Sequence, residues 1–263
     1  IFDPELMNDT WITAGNMFFG RSEHTLALLP NRNVLAAGGV TAETNKGQYS
    51  NTAEIFNVSV RQWVPTTIMQ NYRDMGPKAV RLPSGFILVV GGSNTSTAEL
   101  FDPSTSEWSP VESSNDIRYS GHESTVLDDG RVLVTGGQLG VATNQAALCD
   151  ALAFAWEEVS ELPAENRVFH TATKLDDGRL LIVGGRNSGT NAILTDAWLY
   201  EPPVTNGASG QWSQVTSTKA DNAQHTATKL ENGQVLIVGG AIPKLFTPSS
   251  TTPSWPWCAA TST

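Results

Sequence analysis

The side chains that most readily do chemistry in this 263-residue chain are four histidines, His24, His122, His170 and His225. Imidazoles at regular intervals suit a metal. Each stands just before a strand-like pattern, His-Thr in three cases and His-Glu-Ser at His122. Arg21, Arg73, Arg118 and Arg167 stand three or four residues before the same position, where the second copy has Gly76-Pro77 and no histidine. That substitution interrupts any ring of ligands. Side chains recurring at one register position read as packing: imidazoles satisfying backbone groups between units, and arginines pairing with carboxylates or carbonyls through their planar fork. The functional alternative for the arginines is a basic ring that captures an anion. No metal centre and no cofactor are expected, because Asp-rich calcium loops are absent. There is no Ser-His-Asp set, Gly-rich phosphate loop or Cys-x-x-Cys, so the chain reads as non-catalytic. Cys149 and Cys258 are far apart in sequence, and whether they pair stays open.

Composition narrows the setting. There are 26 acidic and 16 basic side chains, a net charge of −10, which repels phosphate backbones. No apolar run approaches the roughly 18 residues of a membrane helix. Charged residues are only 16%, against a usual value of about 25%. Three N-glycosylation sequons, at Asn8, Asn57 and Asn94, fall in or beside expected turns. The chain opens at Ile1, which reads as a processed chain or a fragment, and with the sequons this points to an extracellular protein.

What positions these residues is a repeat. Gly-Gly recurs at Gly38-Gly39, Gly91-Gly92, Gly136-Gly137, Gly184-Gly185 and Gly239-Gly240, at steps of 53, 45, 48 and 55. Each pair ends an apolar run, such as Ile87-Leu88-Val89-Val90 or Leu180-Leu181-Ile182-Val183. A turn such as Asp176-Asp177-Gly178 or Glu231-Asn232-Gly233 precedes each run, and another short strand precedes the turn. Asp-Gly or Asn-Gly between two strand patterns predicts a hairpin. The continuous apolar run predicts a second strand buried on both faces. A second hairpin alternates with the first: Ala53-Glu54-Ile55-Phe56-Asn57 to Trp63, and Ala98-Glu99-Leu100-Phe101-Asp102-Pro103 to Trp108. Weaker copies end at Trp156 and Trp212; others run from Ile1-Phe2-Asp3-Pro4 to Trp11 and from Lys244-Leu245-Phe246 to Trp255 or Trp257. One repeat is therefore four antiparallel strands.

A repeat of about 50 residues with four strands, a double glycine and a spaced tryptophan resembles the kelch family, distantly the kelch domain of galactose-oxidase-like proteins. The resemblance implies an all-β kelch-type β-propeller of four-stranded antiparallel blades around a channel. Five inner and six outer hairpins leave two arrangements. In the preferred one, five blades close when the N-terminal hairpin, residues 1–11, pairs with residues 225–240; the alternative is six blades. The domains are then a propeller over 1–240 and a Ser/Thr/Pro-rich tail over 241–263. Copper-radical oxidases carry kelch repeats, but their site needs two tyrosines, two histidines and a Cys–Tyr link. Here the tyrosines are Tyr49, Tyr72, Tyr119 and Tyr200, and the histidines belong to the repeat.

Binding is the better reading. The long connections, residues 40–51, 138–145 and 186–195 and the stretches after each Trp, share one propeller face. Loops on a rigid scaffold carry function. Tyr49, Tyr72, Tyr119, Asn45, Asn187 and Asn191 are the expected contact residues there. The expected function is a secreted recognition or assembly module binding a protein partner, or itself, through that face. The alternatives are a lectin-like carbohydrate-binding propeller, a subunit of a surface fibre, or a fragment of a larger secreted oxidase.

Overall fold

The computed structural model describes residues 13–41, 48–92, 97–111, 120–139, 141–153, 155–163, 166–203, 210–215, 225–239 and 243–248. They contain strands and turns and no helix, so none is long and apolar enough to cross a membrane. Five successive antiparallel sheets form the blades of a β-propeller. Blade 1 is Thr25–Leu28, Val34–Ala37, Ala53–Asn57 and Gln62–Pro65. Blade 2 is Lys78–Arg81, Ile87–Val90, Ala98–Asp102 and Glu107–Val111. Blade 3 is Ser120–Val126, Val132–Leu139, Ala146–Asp150 and Ala155–Glu158, with Val141–Ala142 added at the end of its second strand. Blade 4 is Thr171–Lys174, Leu180–Val183, Ala197–Glu201 and Gln211–Val215. Blade 5 has three described strands, Thr226–Lys229, Val235–Val238 and Lys244–Phe246. A small sixth sheet joins Arg21–Ser22, Val40–Thr41 and Gln48–Tyr49 beside blade 1.

The last strand corrects the expected closure. Lys244–Phe246 pairs with Val235–Val238, occupying the side on which residues 1–11 were expected to close the ring. Phe246 explains why: it is fully buried and packs with Val235, Ile237 and Leu199 between blades 4 and 5. The folded chain therefore runs past the expected boundary at 240. Residues 1–11 and the tail from 249 lie outside the described residues.

The core sits between blades, as alternation dictates. In blade 2, Ile87, Val89 and Phe101 face blade 1, where they meet Leu35, Ala37 and Ala53. Leu88, Val90, Ala98 and Leu100 face blade 3 and meet Val132, Val134 and Cys149. Leu133 and Leu148 meet Leu180, Ile182 and Tyr200 between blades 3 and 4. The second strands of blades 2 and 4 are buried at every residue, which is why they read as unbroken apolar runs. The tryptophans lock the outer hairpins: Trp63 lies against Phe56, Trp108 against Phe101 and Trp212 against Tyr200, with ring centroids 5.2, 4.9 and 4.7 Å apart. Cys149 takes the aromatic's place opposite Trp156. It is a buried free thiol whose pKa burial pushes up to about 12, and Cys258 lies outside the described residues.

Candidate interaction face

Strand direction alternates within a blade, so two kinds of connection emerge on one face. These run from the second to the third strand, and from the fourth strand to the next blade. The hairpin turns emerge on the opposite face. The repeat arginines hold the long-connection face rigid. Arg73 belongs to the segment crossing from blade 1 to blade 2. Its backbone N–H donates to the Ser50 carbonyl and its carbonyl accepts from Gly39 N, both in blade 1. Its guanidinium reaches blade 2, donating to the Gly91 and Thr97 carbonyls and to Glu99 Oε1 at 2.9 Å. Glu99 in turn accepts the N–H groups of Gln70 and Asn71. Arg167 repeats the arrangement between blades 3 and 4: its carbonyl accepts from Gly137 N, and its side chain binds the Gly184 carbonyl and Asp196. Arg21 binds the Gly38 and Thr52 carbonyls and Glu54. The expected packing role thus holds for these three arginines, and Arg118 lies outside the described residues.

The double glycine follows from the same crossing. The first glycine lies against the next blade's arginine: a Cβ on Gly136 would sit 2.5 Å from the Arg167 carbonyl oxygen. The second lies against its own blade's histidine or proline, as Gly185 does on His170 and Gly92 on Pro77. Two of the histidines pin neighbouring blades through hydroxyl partners. His170 Nε2 lies 2.8 Å from Thr135 Oγ1, and His225 Nε2 lies 2.9 Å from Thr171 Oγ1. Among the described residues no group of three His, Cys, Asp or Glu could hold a metal. Burial, then the neighbouring Arg21, lowers the pKa of His24, while a hydrogen bond to the Arg21 backbone opposes this. The neutral ring is therefore favoured in the folded chain. As pH falls through about 6.5 the unfolded chain takes up the proton first, and stability present above that pH is lost. Thermal midpoints measured from pH 8 to pH 5 should fall more for the wild type than for His24→Gln.

Of the expected contact residues, Tyr72 is 58% exposed on this face. Asn187 and Asn191 share the connection between the second and third strands of blade 4. Asn187 Oδ1 accepts the N–H groups of Gly189 and Thr190, so it shapes the loop. Asn191 is exposed with φ +58°, a left-handed conformation asparagine tolerates. Tyr49 ends the small sheet, while Asn45 and Tyr119 lie outside the described residues. Of the sequons, Asn57 sits in an outer turn, its side-chain oxygen accepting from Ser59 N and Val60 N; Asn8 and Asn94 lie outside the described residues.

The sequence reading missed the apolar residues that accompany Tyr72. Ile68 is 64% exposed and Phe18 59%, and Met75, Phe169 and Ile193 are exposed too, all on these connections. Their signal is an apolar side chain in a Gly/Pro/Asn-rich connector, outside the strand pattern. Phe169 is the most informative. In four repeats the residue before the repeat histidine (or Pro77) is left-handed: Gly76 and Gly121 in two, Glu23 at φ +55° and Phe169 at φ +57° in two others. A bulky residue there is strained, and such strain concentrates at functional positions. The Phe169 N–H donates to the Gly121 carbonyl, which ties the backbone at this position to blade 3. Phe169→Gly should leave the thermal midpoint unchanged or raise stability by up to about 1 kcal/mol. A clear fall in the midpoint would make the ring a fold-supporting residue instead.

Burial raises the pKa of the Asp74 carboxyl, and Glu23 adds to the effect. Lys78 and Glu123 pair across blades 2 and 3 at 2.7 Å. The opposite face holds a 530 Å³ cleft lined by Leu82, Pro83, Asp129, Arg131, Asp150 and Leu152 among others. Its carboxylates are engaged: Asp129 with Arg131, Asp128 with Lys174, and Asp150 with the Leu152 and Ala153 N–H groups. It offers no group directed at a ligand.

The fold is a β-propeller, and its connector face carries exposed apolar side chains. Residues 163–261 match the family model described as tRNA wybutosine-synthesizing protein 4, beta-propeller. This part of the chain is similar to that domain. No curated protein matches the chain.

Proposed function

We propose that this chain is a kelch-type β-propeller that binds a protein partner through its long-connection face, as an extracellular module without catalysis of its own. The observation that carries the reading is the set of exposed apolar side chains, Phe18, Ile68, Tyr72, Met75, Phe169 and Ile193, on connections held by buried arginine pairs. Large apolar groups on a rigid scaffold suit a protein interface, where aromatic anchors carry most of the binding energy. The kelch assignment is supported by the double glycine and the outer-strand tryptophan in blades 1 to 4. The matched family is named for a tRNA-modifying protein, and that activity is said of that protein alone. The net charge of −10 here speaks against a polyphosphate ligand. The extracellular setting is supported by the sequons, of which Asn57 lies on the face opposite the proposed interface. Cross-linking mass spectrometry on the protein bound to its partner tests the interface. The reading expects cross-links from Lys78 and the neighbouring connections; cross-links confined to the turn face, or a glycan array showing sugar recognition in place of a protein, would overturn it.

A further inference from the structure

The outer hairpins of blades 1, 2 and 3 each turn on one acceptor side chain at the same register position. Asn57, Asp102 and Asp150 stand opposite Gln62, Glu107 and Ala155 on the outer strands. Asp102 Oδ1 accepts from Ser104 N, and Asp150 Oδ1 accepts from Leu152 N and Ala153 N. Asn57 Oδ1 accepts from Ser59 N at 3.0 Å and from Val60 N at 3.3 Å. These two donors fix the oxygen, not the nitrogen, as the end of the amide that faces the turn. An acceptor oxygen is all the turn asks for, and aspartate serves in the other two blades. Among the described residues nothing accepts from Asn57 Nδ2.

The turns of blades 1 and 2 also share their backbone, since Arg61 and Ser106 close them with φ +56° and +62°. What differs is the chemistry at the tip. Ser104 Oγ donates to Asp102, whereas no described residue engages the hydroxyl of Ser59. Val58 is 44% exposed and Val60 59%, at the places of Pro103 and Thr105 in blade 2. The blade 1 turn therefore combines an amide nitrogen and a hydroxyl that the fold does not use with two valines that the fold does not cover. An N-linked glycan needs that nitrogen and a hydroxyl two residues on.

We infer that Asn57 carries an N-linked glycan in the secreted protein, and that this glycan covers Val58 and Val60 and closes this part of the turn face to partners. The inference rests on the extracellular setting proposed above. The donor is an oligosaccharide joined through pyrophosphate to a membrane lipid. Asn57 Nδ2 attacks the anomeric carbon of the first sugar. A C–N bond forms, the C–O bond to the pyrophosphate breaks, and the lipid pyrophosphate leaves. One amide proton passes to a base of the transferring enzyme, and nothing is oxidised or reduced. Oδ1 keeps both of its N–H donors, so the turn survives the modification. The bulk of the sugar lies beside the valines and takes the place of water over them.

The test is the full chain secreted from eukaryotic cells, digested with trypsin and read by mass spectrometry. The peptide of residues 47–61 contains a single sequon, that of Asn57. The inference expects a hexosamine-based glycan on this peptide in the wild type and none in Asn57→Asp or Ser59→Ala. Both variants keep the acceptor oxygen and the N–H groups of the turn, so both should fold, which circular dichroism checks. Hydroxyl-radical labelling of Val58 and Val60 should rise about twofold in each variant. A bare 47–61 peptide beside glycosylated Asn8 or Asn94 would overturn the inference and leave the extracellular reading standing. Bare asparagines at all three sequons would overturn both. Equal labelling of the valines in all three forms would overturn the cover.

Discussion

Arg73→Met should destabilise the propeller by about 3–5 kcal/mol, among the largest effects available to a single substitution in this fold. Arg73 and Glu99 are both buried, with side-chain exposures of 0% and 1%. Removing the guanidinium leaves the Glu99 carboxylate as an uncompensated buried charge. It also strips the Gly91 carbonyl of the guanidinium donor and leaves the Thr97 carbonyl with the Gly91 N–H, so part of the desolvation cost is no longer offset. The loss lies in the breaking, because an intact buried pair adds little over apolar packing. Arg73→Met with Glu99→Gln should therefore cost less than the sum of the single changes. Chemical denaturation with the slope checked for constancy measures this. Additive losses would mean that the two side chains act separately.

Gly136→Ala should cost about 2–5 kcal/mol, combining left-handed strain with overpacking. Gly136 has φ +58°, and an added Cβ would meet the Arg167 carbonyl oxygen at 2.5 Å and the His170 ring at 2.7 Å. Neither neighbour can retreat, since Arg167 is bound to blade 4 and His170 is pinned to Thr135. Gly76 separates the two contributions. It has φ +63° with nothing near its would-be Cβ, so Gly76→Ala should show only the backbone strain, about 1–2 kcal/mol. Equal losses at both positions would remove the close approach as the reason for the double glycine.

The blades were legible in the sequence because each inner strand had to satisfy two constraints at once. Ile87 to Val90 are buried on both faces, which demands an unbroken apolar run, and the glycines beyond them must admit a neighbour's backbone. Both demands fall on residue type, and type is what a sequence displays. The arginines and tryptophans were legible for the same reason. The role of the last strand was only faintly legible. Lys244-Leu245-Phe246 read as the weakest outer copy, without the Ala that opens the copies in blades 1 to 4, and its pairing with Val235–Ile237 and the burial of Phe246 between blades give it its place in blade 5. The contact face was half legible. Tyr72 stood out as a loop tyrosine, whereas Ile68 and Phe18 matched no pattern, because exposure depends on what the fold fails to cover. Asn187 was read as a contact residue but serves its own loop. Phe169 becomes informative only once its backbone angle is known.

The most direct test compares three forms of the protein as bait for its binding partner: the wild type, a connector variant and a turn-face variant. The connector variant carries Ile68→Ser and Tyr72→Ser, and the turn-face variant carries Val58→Ser, Val60→Ser and Leu152→Ser. All five substituted side chains are exposed, so folding should survive in both variants. The account predicts one protein retained by the wild type and by the turn-face variant, with affinity falling at least tenfold for the connector variant. Equal retention by all three, or loss only with the turn-face variant, would contradict it.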